Sequence, residues 1–422
     1  MVEIQRLASR VIETVLAGHN LDQALAALFS RQRGLAPAQR AAIQDISYGA
    51  IRHFGQLQAV LDRLAKRPVA DATLRALMLA ALYQLQHTKA KPYAVVDHAV
   101  QTAERIGAAG AKGFVNAVLR AFLRRREAVL TEALCNEPAV FSYPAWWIDK
   151  LKQQYPEAWQ AILQAGNRHP PMNLRVNRRR SSGAQYMEML LHEGMAASEL
   201  AGGALCLERP VPVDQLPGFA QGLVSVQDDA AQYAAPLLDA RDGMRVLDAC
   251  AAPGGKTGHL LELADLDLLA LDLDSKRLAR VAENLDRLGL RATLKCADSL
   301  EVQDWWDGNP FDRILLDVPC SGSGVVKRRP DIKWLRRPAD IAQFAAQQRN
   351  LLMQLWQALA SGGKLLYASC SLFAEENRET VAHFLACHPD AREIRLHPPL
   401  SSGQIIPDAF HDGFFYALLH KS

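Results

Sequence analysis

After Gln227, short apolar stretches alternate with helix-length segments to the end of the chain, and this alternation restricts the fold more than any other feature. The stretches span residues 244–247, 268–271, 292–294, 314–316 and 364–367. Strands buried on both faces read as continuous apolar runs, and parallel neighbours need a crossover long enough to hold a helix. The pattern therefore predicts an α/β fold with a doubly wound, mostly parallel sheet, whose ligand crevice lies at the carboxyl ends of the strands. A last apolar run, 414–419, follows Asp412-Gly413 and is expected to close the sheet as an antiparallel hairpin.

The strand ends carry the chemistry. The first expected strand runs into Asp248-Ala249-Cys250-Ala251-Ala252-Pro253-Gly254-Gly255-Lys256-Thr257, a turn of small residues that lets a ligand approach the backbone. Asp272 ends the second strand, where a carboxylate can accept from ribose hydroxyls, and Asp298 follows the third, within reach of an adenine amino group. Two phosphate-binding alternatives fail on spacing. A P-loop needs glycine five residues before Gly255, and Cys250 stands there; a nicotinamide site needs G-x-G-x-x-G, which is absent. A nucleoside ligand without a tightly held polyphosphate fits, and S-adenosylmethionine is such a ligand. Cys250, Ala251, Ala252, Pro253, Gly254, Gly255, Lys256, Asp272, Asp298 and Asp317 are its candidate contacts.

Two further strand ends carry thiols: Asp317-Val318-Pro319-Cys320 after the fourth and Ser369-Cys370-Ser371 after the fifth. Both loops are expected beside the same crevice. Two thiols facing an activated methyl suit cytosine C5 methylation, because carbon 5 is a poor nucleophile until a thiolate adds to carbon 6. A second thiol can assist proton removal and release. Asp317 is placed to steady the adduct, and Lys256 to supply positive charge. This chemistry alone leaves open which thiol attacks. Cys135, Cys206, Cys296 and Cys387 read as ordinary small side chains. The seven cysteines include no C-x-x-C pair, so reduced cytosolic thiols and no metal site are expected.

The front of the chain differs. Up to about residue 126 it is rich in Ala, Leu and Arg, with apolar residues at three- and four-residue spacing, as in Leu57, Val60, Leu61 and Leu64. Breaks at residues 18–20, 34–37, 68, 92 and 107–110 allow six or seven helices. Residues 1–130 hold 18 Lys and Arg against 9 Asp and Glu, although the whole chain is only +3, so the positive field is concentrated where phosphates would be met. Residues 131–235, with mixed short segments and Pro170-Pro171, read as a small α+β connector before a domain at 236–422. No apolar run is long enough for a membrane span, so a soluble cytoplasmic protein is expected, and nothing calls for more than a monomer.

At Asp248–Thr257, Asp272, Asp298, Asp317–Cys320, residues 327–334, Ser369-Cys370-Ser371 and Asp412-Gly413-Phe414-Phe415, the chain resembles the RNA 5-methylcytosine methyltransferases that include the Nop2 and Sun proteins. The resemblance implies a Rossmann-like class I methyltransferase core, S-adenosylmethionine as methyl donor, Cys370 as the attacking thiol and Cys320 as the releasing thiol. Ser369 stands where the family usually has Thr and keeps the hydroxyl. Residues 112–120 resemble a NusB-like RNA-binding domain fused to a bacterial subgroup that modifies 16S ribosomal RNA. Asn173-Leu174-Arg175-Val176-Asn177 and Val226-Gln227-Asp228 resemble that subgroup's connector. Arg175, Arg178, Lys327, Arg328, Arg329, Lys333 and Trp334 are the expected RNA contacts, the last five beside the Cys320 loop. The same chemistry on transfer RNA and a non-catalytic ribosome assembly factor are the alternatives.

Overall fold

A computed structural model describes all residues, 1–422. Its contacts divide the chain into two units, residues 1–167 with 326–337, and residues 168–325 with 338–422.

The first unit is helical. Seven α-helices, from Val2–Leu16 to Lys112–Arg124, occupy the region where the spacing predicts six or seven. The breaks fall at the expected Gly and Pro positions, helped by side-chain caps: Asn20 accepts from the Gln23 amide and Asp71 from the Leu74 amide. The helix Ala72–His87 is apolar on nearly every face because it runs through the middle of the bundle, buried from Leu74 to Leu85. Four more helices, ending with Trp159–Gly166, belong to this unit, although the sequence suggests a change of domain near residue 130. The segment 326–337 also belongs to it, although residues 168–325 intervene in sequence, and carries the short helix Ile332–Leu335.

The second unit holds two sheets. The smaller contains β1 (Met172–Val176), β2 (Ala197–Glu199), β3 (Leu205–Leu207) and β4 (Val224–Val226), all antiparallel in the order β2-β3-β1-β4. The larger contains β5 (Arg245–Asp248), β6 (Asp267–Asp272), β7 (Thr293–Cys296), β8 (Phe311–Asp317), β9 (Leu359–Ser369), β10 (Ala391–Ile394), β11 (Gln404–Ile405) and β12 (Phe414–Lys421). Its order is β10-β12-β9-β8-β5-β6-β7, with β11 on β12. The stretch from β9 to β7 is parallel. The chain winds outward from β5 through β6 to β7, then returns to β8 on the other side, so the switch point lies between β5 and β8.

The last strand departs from the expected closing hairpin. β12 is antiparallel to β9 but inserts between β9 and β10, so it is an interior strand. Its residues Phe414 to Leu419 are all buried, which explains why it reads as an unbroken apolar run.

The small sheet is held to the large one by a buried ion pair. Arg175 on β1 gives two hydrogen bonds to Glu262, 2.9 and 2.7 Å long, and a third to the Gly255 carbonyl at 2.7 Å. Both side chains are nearly fully buried. A guanidinium in this fork geometry satisfies both carboxylate oxygens, whereas removing it leaves a buried charge unpaired. Arg175→Ala is expected to destabilise the protein by about 3–5 kcal/mol, measured by urea unfolding followed on the second unit.

Candidate active site

The loop between β5 and the helix Gly255–Leu263 forms the floor of the site. Gly254 caps that helix at φ +93°, where a side chain would be strained and a Cβ would press on Val281 at 3.1 Å. Arg277 and Asn284 tie the loop down from the neighbouring helix, donating to the carbonyls of Ala252 and Pro253 at 2.9 Å each. Behind it Asp248 accepts from the Thr257 hydroxyl at 2.7 Å, and burial pushes its carboxyl up to about 7.

Above this floor lies a cavity of about 340 Å³, lined among others by Cys250, Ala252, Asp272, Asp298, Asp317, Cys320 and Cys370. Of the expected cofactor contacts, Ala251, Pro253, Gly254, Gly255 and Lys256 shape the loop without lining the cavity. Asp272 ends β6 and is held by the amides of Ala252 at 3.2 Å and Asp274 at 3.0 Å. One oxygen of Asp298 accepts from the Leu300 amide at 2.9 Å. Each carboxylate keeps lone pairs for a further donor. Carboxylates after β6 and β7, around a cavity floored by close backbone, fit the ribose hydroxyls and adenine amine of S-adenosylmethionine. Arg277, Ser299, Gln347 and Leu351 also line the cavity. Nothing in the sequence distinguishes Gln347 and Leu351, because they reach it from the far helix Pro338–Gln357.

The thiols face each other. Parallel pairing ends with Asp317 opposite Ala368, and the chains then leave the ladder as the two cysteine loops. The sulfurs of Cys320 and Cys370 are 3.3 Å apart. Gly324 donates to the Cys370 carbonyl at 2.8 Å, and a Cβ on it would lie 2.2 Å from the Gly413 carbonyl oxygen, so only glycine allows this approach. The Lys256 ammonium sits 2.5 Å from Asp317 and 5.2 Å from the centre of the Phe414 ring. Burial alone would lower its pKa, but Asp317, together with the Cys370 sulfur and Asp248, holds it above the ordinary value.

The two other thiols at the cavity differ from Cys370 in their surroundings. Burial, reinforced by Asp317, Asp248 and Asp272, pushes the Cys250 thiol far up. Its hydrogen bond with Cys370, then burial, then the charges of Cys370 and Glu376 push Cys320 well above the usual thiol range.

The matches to known proteins agree with this geometry. A model described as 16S rRNA methyltransferase RsmB/F matches residues 235–420, one of an RsmF/B-like ferredoxin-like domain matches 143–214, and one of the NusB family matches 3–124. The ribosomal RNA small subunit methyltransferase B of Vibrio cholerae is 43% identical over 98% of this chain and 96% of its own. The chain belongs to the 16S rRNA methyltransferase RsmB/F family. A methyltransferase homologue from Pyrococcus horikoshii, 29% identical, covers 68% of this chain and 97% of its own with a TM-score of 0.59. The crystal structure of PH0851 covers 99% of both chains with a TM-score of 0.80, and at 23% identity it shows likeness of fold. As a methyltransferase of the RsmB/F family the protein takes its methyl group from S-adenosylmethionine, and the cavity described above has the acceptors and shape for it.

The expected RNA contacts fare differently. Arg175 is buried and spent on Glu262. Lys327 and Lys333 are buried in the helical unit, and the Lys333 ammonium donates to the Arg52 carbonyl at 2.7 Å and to Asn167 at 2.8 Å. Burial, with Arg52 nearby, drives the Lys333 pKa well below its ordinary value. The Trp334 indole donates to the Ile51 carbonyl at 2.9 Å and packs edge-on against Phe54. The charged groups of Arg175, Lys327 and Lys333 are thus buried within the protein, whereas Trp334 is half-buried. A basic run in sequence looks the same whether solvated or spent on buried carbonyls. Arg329 is exposed and paired with Asp22, Arg328 is half-buried, and Arg178 is exposed.

Asp272→Ala is expected to weaken S-adenosylmethionine binding by about 10- to 100-fold, the loss of a hydrogen bond to a charged group, measured by calorimetry.

Proposed function

We propose that this protein methylates carbon 5 of a cytosine in 16S ribosomal RNA through a covalent adduct between Cys370 and carbon 6. The observation that carries the reading is the pair of sulfurs 3.3 Å apart in the wall of the cofactor cavity. A single buried thiol has a plain packing explanation; two in contact at adjacent strand ends, beside a lysine, do not.

The surroundings favour Cys370 as nucleophile. Of the three thiols lining the cavity, Cys250 and Cys320 are held as thiols, and Cys370 is the one coupled to the Lys256 ammonium. The thiolate is the attacking species, and Lys256 is the cation at hand to balance it. Addition of the Cys370 thiolate to carbon 6 moves the double-bond electrons to carbon 5. Asp317, which lines the cavity, is positioned to accept from the ring nitrogen or exocyclic amine of that adduct. Bound S-adenosylmethionine supplies an electrophilic methyl group to carbon 5. Release then needs the carbon 5 proton removed while the bond from carbon 6 to sulfur breaks. Cys320 can pass its own proton to the departing Cys370 sulfur and take the carbon 5 proton, so both thiols end protonated and the base leaves neutral.

A cytosine in a duplex has its ring faces stacked, so the target is unpaired or flipped. Relatives named for the small-subunit ribosomal RNA, together with the NusB-like unit, support the choice of substrate. The exposed Arg178 is proposed as a phosphate contact, as is Arg329 should RNA displace Asp22; Arg178→Ala is then expected to flatten the slope of log affinity against log salt by about 1 in RNA-binding titrations.

The chemistry is tested with labelled methyl transfer to unmodified 16S RNA and denaturing gels for trapped adduct. Cys370→Ala is expected to abolish both product and adduct. Cys320→Ala is expected to accumulate an adduct that does not release. The opposite pattern exchanges the two roles, and a label on another atom or another RNA overturns the assignment of target.

A further inference from the structure

Beyond Asp317 and Ala368 the ladder ends, and the backbones of the two cysteine loops meet through the Gly324 amide on the Cys370 carbonyl, with their sulfurs in contact. A side-chain cross-tie lies behind them. Glu376, fully buried, accepts from the Ser321 amide at 2.7 Å, the Ser321 hydroxyl at 2.6 Å, the Ser371 hydroxyl at 2.5 Å and the Gln348 amide at 3.2 Å. Ser321 follows Cys320 directly, and Ser371 follows Cys370.

A network of hydroxyls and amides surrounds this carboxyl group. The amides of Leu372 and Phe373 donate to the hydroxyls of Ser323, at 2.7 Å, and of Ser371, at 3.0 Å. The Ser321 hydroxyl also donates toward that of Ser323 at 3.2 Å, and the hydroxyls of Ser323 and Ser371 lie 3.1 Å apart. Burial pushes the Glu376 carboxyl up, and its hydrogen bonds from Ser321, Ser371 and Gln348 oppose that shift by favouring the carboxylate. The residue is itself fixed, because the Tyr367 hydroxyl donates to its backbone carbonyl at 2.5 Å and lies 3.2 Å from the Gln348 amide oxygen.

We propose that Glu376 is the positioning residue of the thiol pair, its buried carboxylate tying the Cys320 loop to the Cys370 loop through Ser321 and Ser371. This rests on the reading that both thiols act. The charge of Glu376 also adds to the hydrogen bond with Cys370 and to burial in keeping the Cys320 proton in place. A gap of one ångström between the sulfurs would break the proton exchange on which release depends, since hydrogen bonds weaken steeply with distance.

The test separates sulfur register from chemistry. Phenylarsine oxide bridges two thiols that lie side by side, and its capture by the full-length protein is followed by mass spectrometry, with Cys320→Ala and Cys370→Ala as blanks. Ser371→Ala and Glu376→Ala are expected to slow both bridging and methyl transfer by about tenfold or more, the loss of a charge-assisted hydrogen bond, with S-adenosylmethionine affinity within about twofold of wild type. Glu376→Gln keeps an oxygen for the Ser321 amide and is expected to restore bridging to within about threefold of wild type. Bridging at the wild-type rate in Ser371→Ala overturns the proposal, and so does parallel loss of cofactor affinity and thermal stability in Ser371→Ala and Glu376→Gln. Should Glu376→Ala fail to fold, those two variants decide it. Wild-type protein that bridges the arsenical but forms no cytosine adduct would count against the proposed reaction and leave the positioning role standing.

Discussion

Two backbones approach each other closely where β8 and β9 end. Parallel neighbours deliver their carboxyl ends to the same edge of a sheet, so the residues after Asp317 and after Ser369 emerge side by side. The loops then close on one another through Gly324, whose amide bonds the Cys370 carbonyl and whose own carbonyl accepts from Gly413. Contact between the sulfurs follows from that approach, and the rest of the second unit supports it. β12 lies beside β9 and brings Phe414 to the Lys256 ammonium. The helix Pro338–Gln357 supplies Gln348 behind the loops, where it braces both Pro319 and Glu376.

The electrostatics of the pocket are lopsided in a useful way. Asp248, Asp272 and Asp317 surround Cys250, and a thiol in that company stays protonated. On the other side a single lysine, kept charged by Asp317 against the pull of burial, is coupled to Cys370. Low-dielectric surroundings sharpen both effects, because the same charges would be screened in water. Two of the three chemically identical thiols at the cavity, Cys250 and Cys320, are thus held protonated by their neighbours. Two of the carboxylates that discourage ionisation at Cys250, Asp272 and Asp317, also line the cavity.

Much of the second unit was legible because the sequence pattern has a direct physical cause there. Four largely buried parallel strands and the exposed edge strand β7 leave five apolar runs, and residues at their carboxyl ends converge for reasons of topology. The cysteine loops and the carboxylates at Asp272 and Asp298 could therefore be located before any coordinates. The position of β12 could not, since an interior antiparallel strand and an edge hairpin strand share the same run of apolar residues. Nor could the fate of the basic residues. Arg175, Lys327 and Lys333 read as cations near RNA, but a buried arginine or lysine is invisible in sequence until its partners, here Glu262 and the carbonyls of Gly255 and Arg52, are brought to it. Glu376 was missed for a related reason: its role depends on two serines whose hydroxyls meet only after the strands pair.

The sequence by itself determined that two thiols would stand at neighbouring strand ends beside a nucleoside-shaped crevice, because strand order and turn composition are local and periodic properties. It left open which thiol is equipped to attack, except by resemblance to a family. Tertiary structure decided what surrounds each sulfur: a lysine on one side, and on the other a buried carboxylate from a later segment. Electric fields and hydrogen-bond partners depend on distances in space, and residues 256, 320, 370 and 376 acquire those distances only when the sheet is complete.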